Sequence, residues 1–503
     1  MTPPPFLIQL SYNRSTGNFW VDTGLIVLIE QFGEGCYQVE DVLKWLLSQL
    51  VRPTGKKGKY YDEVTGDIRE YDKVNWVYPT NLFIKVSGSA PKIKVEVEGK
   101  EENYFTNPPE FKLDLKLSRK SNVCDLCGDT VPLTDAKMWM YPFVVDPNKF
   151  GNFYSGGKRG LRFCARCALA GLAGYLGWLW KAQGRDAFHF FVFHSDLREL
   201  DRLHKEVLQP LQVRGSRGGN APVAFFGPYI HETTLGLLLA LFAHVRQSDL
   251  LSNEARQYLA TLLGASGTDR PPVPIRLYAV TGTPGQAFNM QALREFSKLQ
   301  SLYRLYERWT DIIAQHQIDP NPHQRVVMIF RQFEARQGDR YETLWRDKIS
   351  WAVMEFGDPA PFVEQFLFDA RAREDNPRPL VRGTIDLLNQ YVQEVLNMDA
   401  QFQRTLTGFG HTLGTAAQEH KEMGLLYSLR NAKNPEEFYR VLNDAQFRLE
   451  LTIPEALLKI ERGERIGGTP WVRIKTLLSI YAMNAFLRKG APQAEESQSS
   501  EEE

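Results

Sequence analysis

The sequence predicts an α+β fold: a mixed N-terminal and middle region, interrupted by a four-cysteine module, then a C-terminal helical bundle. Three observations carry that expectation. Segments of strict two-residue alternation crowd the first 120 residues. Two Cys-x-x-Cys steps, "CDLC" and "CARC", hold four of the five cysteines. From Gln286 onward, apolar residues recur at helical spacing. At 503 residues the chain is too long for one core and suggests two to four domains.

In chain order, "FLIQL" and "GLIVLIEQF" read as buried strands, each a short continuous apolar run. "VEDVLKWLLSQL" reads as a helix with Val42, Leu43, Leu46, Leu47 and Leu50 on one face. "KIKVEVE" alternates Ile93, Val95 and Val97 with Lys92, Lys94, Glu96 and Glu98. "FKLDLKL" does the same with Phe111, Leu113, Leu115 and Leu117 against Lys112, Asp114 and Lys116. Both read as strands with one wet face. Residues 121–167 form the cysteine insert, with a loop-like stretch between its two steps. A helix of small residues follows, with Gly171, Gly174 and Gly177 at three-residue steps. Each glycine costs a helix about 1 kcal/mol relative to alanine, so the stripe predicts a second backbone packed close against it. "FHFFVFH" (Phe188–His194), "APVAFF" and "PIRLYAV" read as strands interleaved with the helix "ETTLGLLLALFAHVRQ". "MQALREFSKLQSLYRLYERWTDIIAQH" and "IDLLNQYVQEVLNMDAQFQRTL" read as helices. The expected organisation is an α+β domain at 1–120, the insert at 121–167, a mixed region at 168–285, a helical region at 286–380, a helical bundle at 381–489 and a disordered acidic tail at 490–503.

Lys+Arg and Asp+Glu both total 60, so overall charge does not mark a nucleic-acid binder; any basic surface is local. "MTPPPFLIQL" lacks the features of a signal peptide. "ALAGLAGYLGWLW", Ala168 to Trp180, is 13 residues long and too short to span a bilayer. No membrane association is expected. The expected compartment is the cytoplasm, where thiols stay reduced.

In a reducing compartment the cysteine spacing points to a metal. Cys124 and Cys127 are followed, after 36 residues, by Cys164 and Cys167. Each step sets two sulfurs on one side of a tight knuckle, and four thiolates from two knuckles complete a closed tetrahedral zinc site. Gly128 supplies the positive φ such a knuckle wants. Lys158, Arg159, Arg162 and Arg166 lie near the second pair and offset the negative charge of four thiolates around zinc. The alternatives are a redox dithiol, four buried apolar cysteines and an iron–sulfur cluster. The first lacks a thioredoxin-like strand-to-helix context, the second leaves the paired spacing unexplained, and the third lacks the usual cysteine rhythm. Cys36 reads as a core residue. A closed four-sulfur zinc organises structure and performs no chemistry.

No phosphate-cradling loop, no H-E-x-x-H and no G-x-S-x-G occurs; "HETTLG" at His231 lacks the second histidine. His189 and His194 read as ordinary core or surface histidines. The balance falls toward a non-catalytic binding protein. Three glycine-punctuated basic loops are candidates for nucleic-acid contact. One carries Arg52, Lys56, Lys57 and Lys59; the second Lys158, Arg159 and Arg162; the third Arg214 and Arg217, with Asn220 a candidate minor-groove reader. For any one of them alone, a solvated, mobile surface loop is the simpler reading.

"CDLCGD" and "FCARCALAG", set between a mixed N-terminal part and a helical C-terminal part, resemble one family. It is the large subunit of type I CRISPR surveillance complexes (Cascade), in the class named for its CXXC–CXXC region. The cysteine motif spans about a tenth of the chain. The resemblance implies a non-catalytic protein seated at the 5′-handle end of a guide RNA among the other Cascade subunits. It would read the protospacer-adjacent motif on double-stranded target DNA, help start strand separation and dock a helicase-nuclease, while guide pairing reads the sequence. A transposase gene neighbourhood would imply recruitment of transposition proteins instead. The bundle would resemble the small subunit that holds the displaced strand. Related systems also make that part from an internal start, for which Met398 is the candidate. The rival classes are a zinc-stapled nucleic-acid-binding scaffold without a CRISPR link, and a nuclease whose site assembles from distant residues.

Overall fold

The computed structural model describes residues 6–76, 92–97, 99–108, 115–137, 140, 160–183, 186–213, 218–265, 275–283, 289–337 and 340–490. The expected α+β class holds, with mixed sheets, a four-cysteine cluster and C-terminal helices. The chain divides into two compact units. One comprises Met1–Ala221, Ser248–Leu262 and Val273–Ser297; the other comprises Pro222–Gln247, Leu263–Pro272 and Lys298–Glu503. The mixed region 168–285 contributes to both units.

In the first unit, β1 (Leu7–Leu10) precedes α1 (Phe19–Phe32), which covers the run expected to be a strand. A fully apolar run does not distinguish a buried strand from a buried helix, and here the caps decide. The Asn18 side chain accepts from the Trp20 and Val21 amides at 3.0 and 3.1 Å, and Gly33 ends the helix at φ +82. Asp22, fully buried, accepts from Ser15, Thr16 and Gly17, so its charge is well solvated by the turn before the helix.

Then come β2 (Gly35–Gln38), α2 (Val39–Leu50), β3 (Val51–Asp62), β4 (Asp67–Trp76), β5 (Lys92–Val97) and β6 (Lys100–Phe105). The helix α2 is as expected, with Val42, Leu46 and Leu50 buried. β3 to β6 form a sheet in the order β4-β3-β6-β5. β5 alternates exposed and half-buried residues as its sequence does, and its antiparallel partner is β6. Of the second expected alternating strand, Phe111–Asp114 lie outside the described residues. Cys36 is exposed on β2, paired with Gln9, and is not the core residue expected.

The insert contributes β7 (Ser121–Val123), β8 (Thr130–Asp135) and β9 (Arg162–Cys164), a three-stranded sheet leading directly into α3 (Ala165–Gly177). α3 is the small-residue helix, and the close approach implied by its glycines is real. A Cβ on Gly24 of α1 would lie 1.7 Å from the Ala170 carbonyl oxygen, and one on Gly174 would lie 2.8 Å from Trp20 Nε1. Trp20 Nε1 donates to the Gly171 carbonyl at 2.6 Å, and its ring meets Tyr175 and Trp178 edge-on.

A second antiparallel sheet runs β10 (Leu179–Gln183), β11 (Asp186–Phe193), β12 (Arg276–Thr283), β13 (Asn289–Phe296). β13 corrects the expectation of helix from Gln286. Met290, Leu293 and Phe296 repeat every third residue, but pairing with β12 sets Leu277 opposite Phe296 and Val280 opposite Leu293. Sheet pairing overrides local periodicity here. His189 and His194 are both buried. His189 stacks on Trp178 with ring centroids 4.2 Å apart, and burial pulls it down to about 3, so it is neutral.

The second unit is chiefly helical. "APVAFF" is no strand; the Ala224 amide donates to the Gly236 carbonyl, and Gly236 lets the Phe225 backbone approach the helix Ile230–Arg246. Asp347 accepts from the first amides of that helix, His231 and Glu232, at 2.8 and 3.0 Å. Fully buried Glu232 is paired with buried Arg346. The expected helix over 385–406 is two, Thr384–Glu394 and Ala400–Glu419, parted by Asn397 at φ +54 and restarted by Asp399, which accepts from the Phe402 amide. Helix Ala400–Glu419 packs along helix Trp471–Phe486, with Gly410 and Gly414 against Tyr481 and Ala482. The expected disordered tail lies almost wholly outside the described residues.

Candidate metal centre

β7 ends at Val123 and β9 ends at Cys164, so the two cysteine steps begin where two strands of one small sheet stop. In the first knuckle, the Cys124 amide donates to the Asp129 carbonyl at 2.9 Å and the Gly128 amide to the Cys124 carbonyl at 3.0 Å. Gly128 has φ +75, the left-handed turn expected of it. In the second, Cys164 is the N-cap of α3, its sulfur accepting from the Cys167 amide at 3.4 Å. The Asp125 amide donates to the Arg162 carbonyl at 3.0 Å, and the Arg162 amide to Asp125 Oδ2 at 2.7 Å. These bonds clamp one knuckle to the strand that carries the other.

The result is a cluster. The sulfurs of Cys124, Cys127, Cys164 and Cys167 all lie within 4.8 Å of one another, an arrangement compatible with a metal ion. Cys127 and Cys164 sulfurs are 3.7 Å apart. A tetrahedron of thiolates at about 2.3 Å from a central zinc has edges of about 3.8 Å. Cys124, Cys164 and Cys167 are buried, and Cys127 is half-buried. The Cys164 amide donates to the Cys124 sulfur at 3.3 Å, and such amide contacts favour thiolate.

Electrostatics separate the four sulfurs in the absence of a cation. Hydrogen bonds from Cys127, Cys164 and Cys167 hold Cys124 far below the ordinary thiol range. The reciprocal bonds to Cys124 push Cys164 and Cys167 upward. Four sulfurs this close ionise together only when a cation sits among them, which is what a metal supplies. Arg166 lies beside them. Burial opposes its charge, yet the sulfurs of Cys167, Cys127 and Cys164 raise it above its ordinary value. Its Nη2 donates to Asp129 Oδ2 at 3.1 Å, and Arg14 Nη1 meets the same oxygen at 3.1 Å. Spacing alone did not reveal the Arg14–Asp129–Arg166 bridge, although Asp129 stands within the "CDLCGD" motif.

The basic candidates fare differently. Lys158 and Arg159 lie outside the described residues, as do Arg214 and Arg217. Arg162 is half-buried beside the first knuckle and serves the clamp through its backbone. Lys56, Lys57 and Lys59 are exposed, but on the strand β3 and not on a loop. The glycines that suggested a loop have local uses. Gly55 takes φ +71 where the register with β4 shifts, and Gly58 leaves room for the facing Tyr71 ring. Lys57 pairs with Asp72 at 2.8 Å. Arg52 pairs with Asn75 in the same hairpin, and its side chain lies outside the described residues. Asn220 is committed to the fold: Oδ1 accepts from the Trp180 amide at 2.8 Å and Nδ2 donates to the Trp178 carbonyl at 3.0 Å.

Among the described residues no helix is long and apolar enough to cross a membrane. A scan against protein-family models finds no match for this chain, and a search of the curated proteins finds none.

Proposed function

We propose that the cluster is a structural zinc site, and that the chain is the non-catalytic large subunit of a cytoplasmic type I CRISPR RNA-guided surveillance complex. The observation that carries this reading is the convergence of two Cys-x-x-Cys knuckles, the second opening a glycine-striped helix, within an α+β unit followed by helices. Four sulfurs without oxygen or nitrogen ligands favour zinc or an iron–sulfur cluster, and the two-knuckle geometry favours zinc. With all four positions taken by cysteine, the metal holds structure and the work falls to the surfaces it supports.

In this reading the chain sits with a guide RNA and other Cascade subunits, reads the protospacer-adjacent motif on double-stranded DNA, aids strand separation and recruits a helicase-nuclease or transposition proteins. The exposed lysines of β3 and the 158–162 and 214–217 segments are its candidate phosphate contacts. With no net charge of its own, the isolated chain binds DNA weakly and gains affinity in the assembly. Met398 is buried in the break before helix Ala400–Glu419, so an internal start there would begin a polypeptide one residue before that helix's cap.

The test is co-purification of the chain with its neighbouring gene products and a guide RNA. Recovery as a ribonucleoprotein carrying about one zinc per chain supports the reading. Recovery with zinc but without RNA or partners overturns the function while leaving the metal site, and metal-dependent cleavage of DNA by the chain alone points to a nuclease.

A further inference from the structure

Helix Leu299–Gln315 exposes Arg304 and Arg308, one turn apart on one face. With Ser301, Phe356 and Glu394 they line an open groove of about 530 Å³. That lies inside the range of roughly 300–1,000 Å³ common to small-molecule sites. Arg308 meets Glu394 only loosely, at 3.8 Å, both side chains being exposed. Arg304 has no ion pair among the described residues. Lys298 brings a third cation close by, 3.6 Å from Glu355.

The groove wall carries an aromatic ring in a helix-end turn. Phe356 follows helix Leu344–Met354 with φ +59, a left-handed position that glycine fills most readily at helix ends. The Phe356 amide donates to the Val353 carbonyl at 3.2 Å and the Gly357 amide to the Ala352 carbonyl at 2.7 Å. Gln317, Lys421 and Glu450 make a helix-end turn of the same kind, so Phe356 is set apart by its ring and not by its backbone. The half-buried ring stands in the groove with Lys298 Nζ 5.7 Å from its centroid.

We propose that this groove binds a ribonucleoside 5′-phosphate. The guanidinium forks of Arg304 and Arg308 take the phosphate. The Phe356 ring offers a stacking face for the base, whichever base it is. The Glu394 carboxylate would repel a bare phosphate but accepts hydrogen bonds from ribose hydroxyls, the use to which carboxylates are put in dinucleotide sites. A cation pair, an aromatic face and a single carboxylate thus match phosphate, base and sugar. This ligand assignment is independent of the RNA-guided role proposed above.

Calorimetric titration of the full chain with AMP, UMP, 2′-deoxy-AMP, inorganic phosphate and oligodeoxythymidylate tests it. AMP and UMP bind, and 2′-deoxy-AMP and phosphate bind about tenfold more weakly. Arg304→Glu costs AMP about tenfold or more. Glu394→Gln removes the preference for ribose. Phe356→Gly loses AMP affinity while its Tm holds or rises, because glycine suits φ +59; a merely structural ring would lower the Tm. No heat from either ribonucleotide overturns the proposal. So does AMP binding that survives Arg304→Glu or Phe356→Gly, or phosphate or oligodeoxythymidylate binding as tightly as AMP.

Discussion

One substitution, made twice in one helix, should move stability in opposite directions. Helix Ala400–Glu419 contains Gly408, with no atom within 4 Å of an added Cβ, and Gly414, whose Cβ would lie 2.0 Å from the Ala482 carbonyl oxygen. Replacing glycine by alanine in a helix gains about 1 kcal/mol from backbone entropy and propensity, and at Gly408 nothing opposes that gain. At Gly414 the obstacle is backbone. Restoring ordinary contact requires the helices to part by about 1.4 Å, and a gap of 0.5–1 Å already forfeits a quarter to a half of the dispersion attraction across it. Overpacking costs roughly 1–3 kcal/mol, and two rigid backbones place this case at the upper end, so Gly414→Ala should lose about 2 kcal/mol net. For a unit of this size that is a fall of about 4–8 °C in Tm, against a rise of about 2–4 °C for Gly408→Ala. Urea and thermal unfolding followed by circular dichroism measure both. Shifts of the same sign, or a Gly414→Ala protein as stable as the parent, would refute the close packing of helices Ala400–Glu419 and Trp471–Phe486.

Other outcomes follow from buried polar groups. Glu364, on helix Ala360–Asp369, is 8% exposed, and burial pushes it up to about 7 against the pull of Lys475 and Arg430. The folded chain therefore holds this proton more tightly than the unfolded chain, whose carboxyl titrates near 4.3. The stability it lends is full below that value and is lost as pH rises through 7. Glu364→Gln should abolish the loss and exceed the parent at pH 8 by roughly 3 kcal/mol, read from urea midpoints at pH 5 and 8; parallel pH profiles contradict it. Asn220→Ala removes the side-chain bonds to the Trp180 amide and the Trp178 carbonyl and should cost about 1–3 kcal/mol of stability. Once folding is restored by lower temperature, its DNA-motif preference should match the parent's; a relaxed preference would return Asn220 to the minor groove.

The cysteine cluster was legible because its signal is chemical: rare residues at a spacing that makes two knuckles, with Gly128 at the turn. The glycine stripe of α3 was legible because glycine is costly in a helix unless contact demands it. Helix α1 was misread because an apolar run has no period, and the signals that place it, Asn18 and Gly33, stand outside the run. β13 was misread because its threefold apolar spacing is local, whereas its pairing with β12 depends on the sheet. The hairpin of β3 and β4 was hidden by Gly55 and Gly58, which serve a register shift and a cross-strand tyrosine. Asn220 shows the limit for site residues. An asparagine beside arginines and glycines suits a nucleic-acid loop, and only its hydrogen bonds to Trp178 and Trp180 reveal a structural post.

The metal content of the purified chain tests the four-cysteine centre most directly, measured by elemental analysis together with thiol titration under native conditions. About one zinc per chain is expected, with exposed Cys36 the fast-reacting thiol and the other four protected until a chelator or denaturant is added. A chain that is folded, free of metal and reactive at Cys127 as readily as at Cys36 would contradict it.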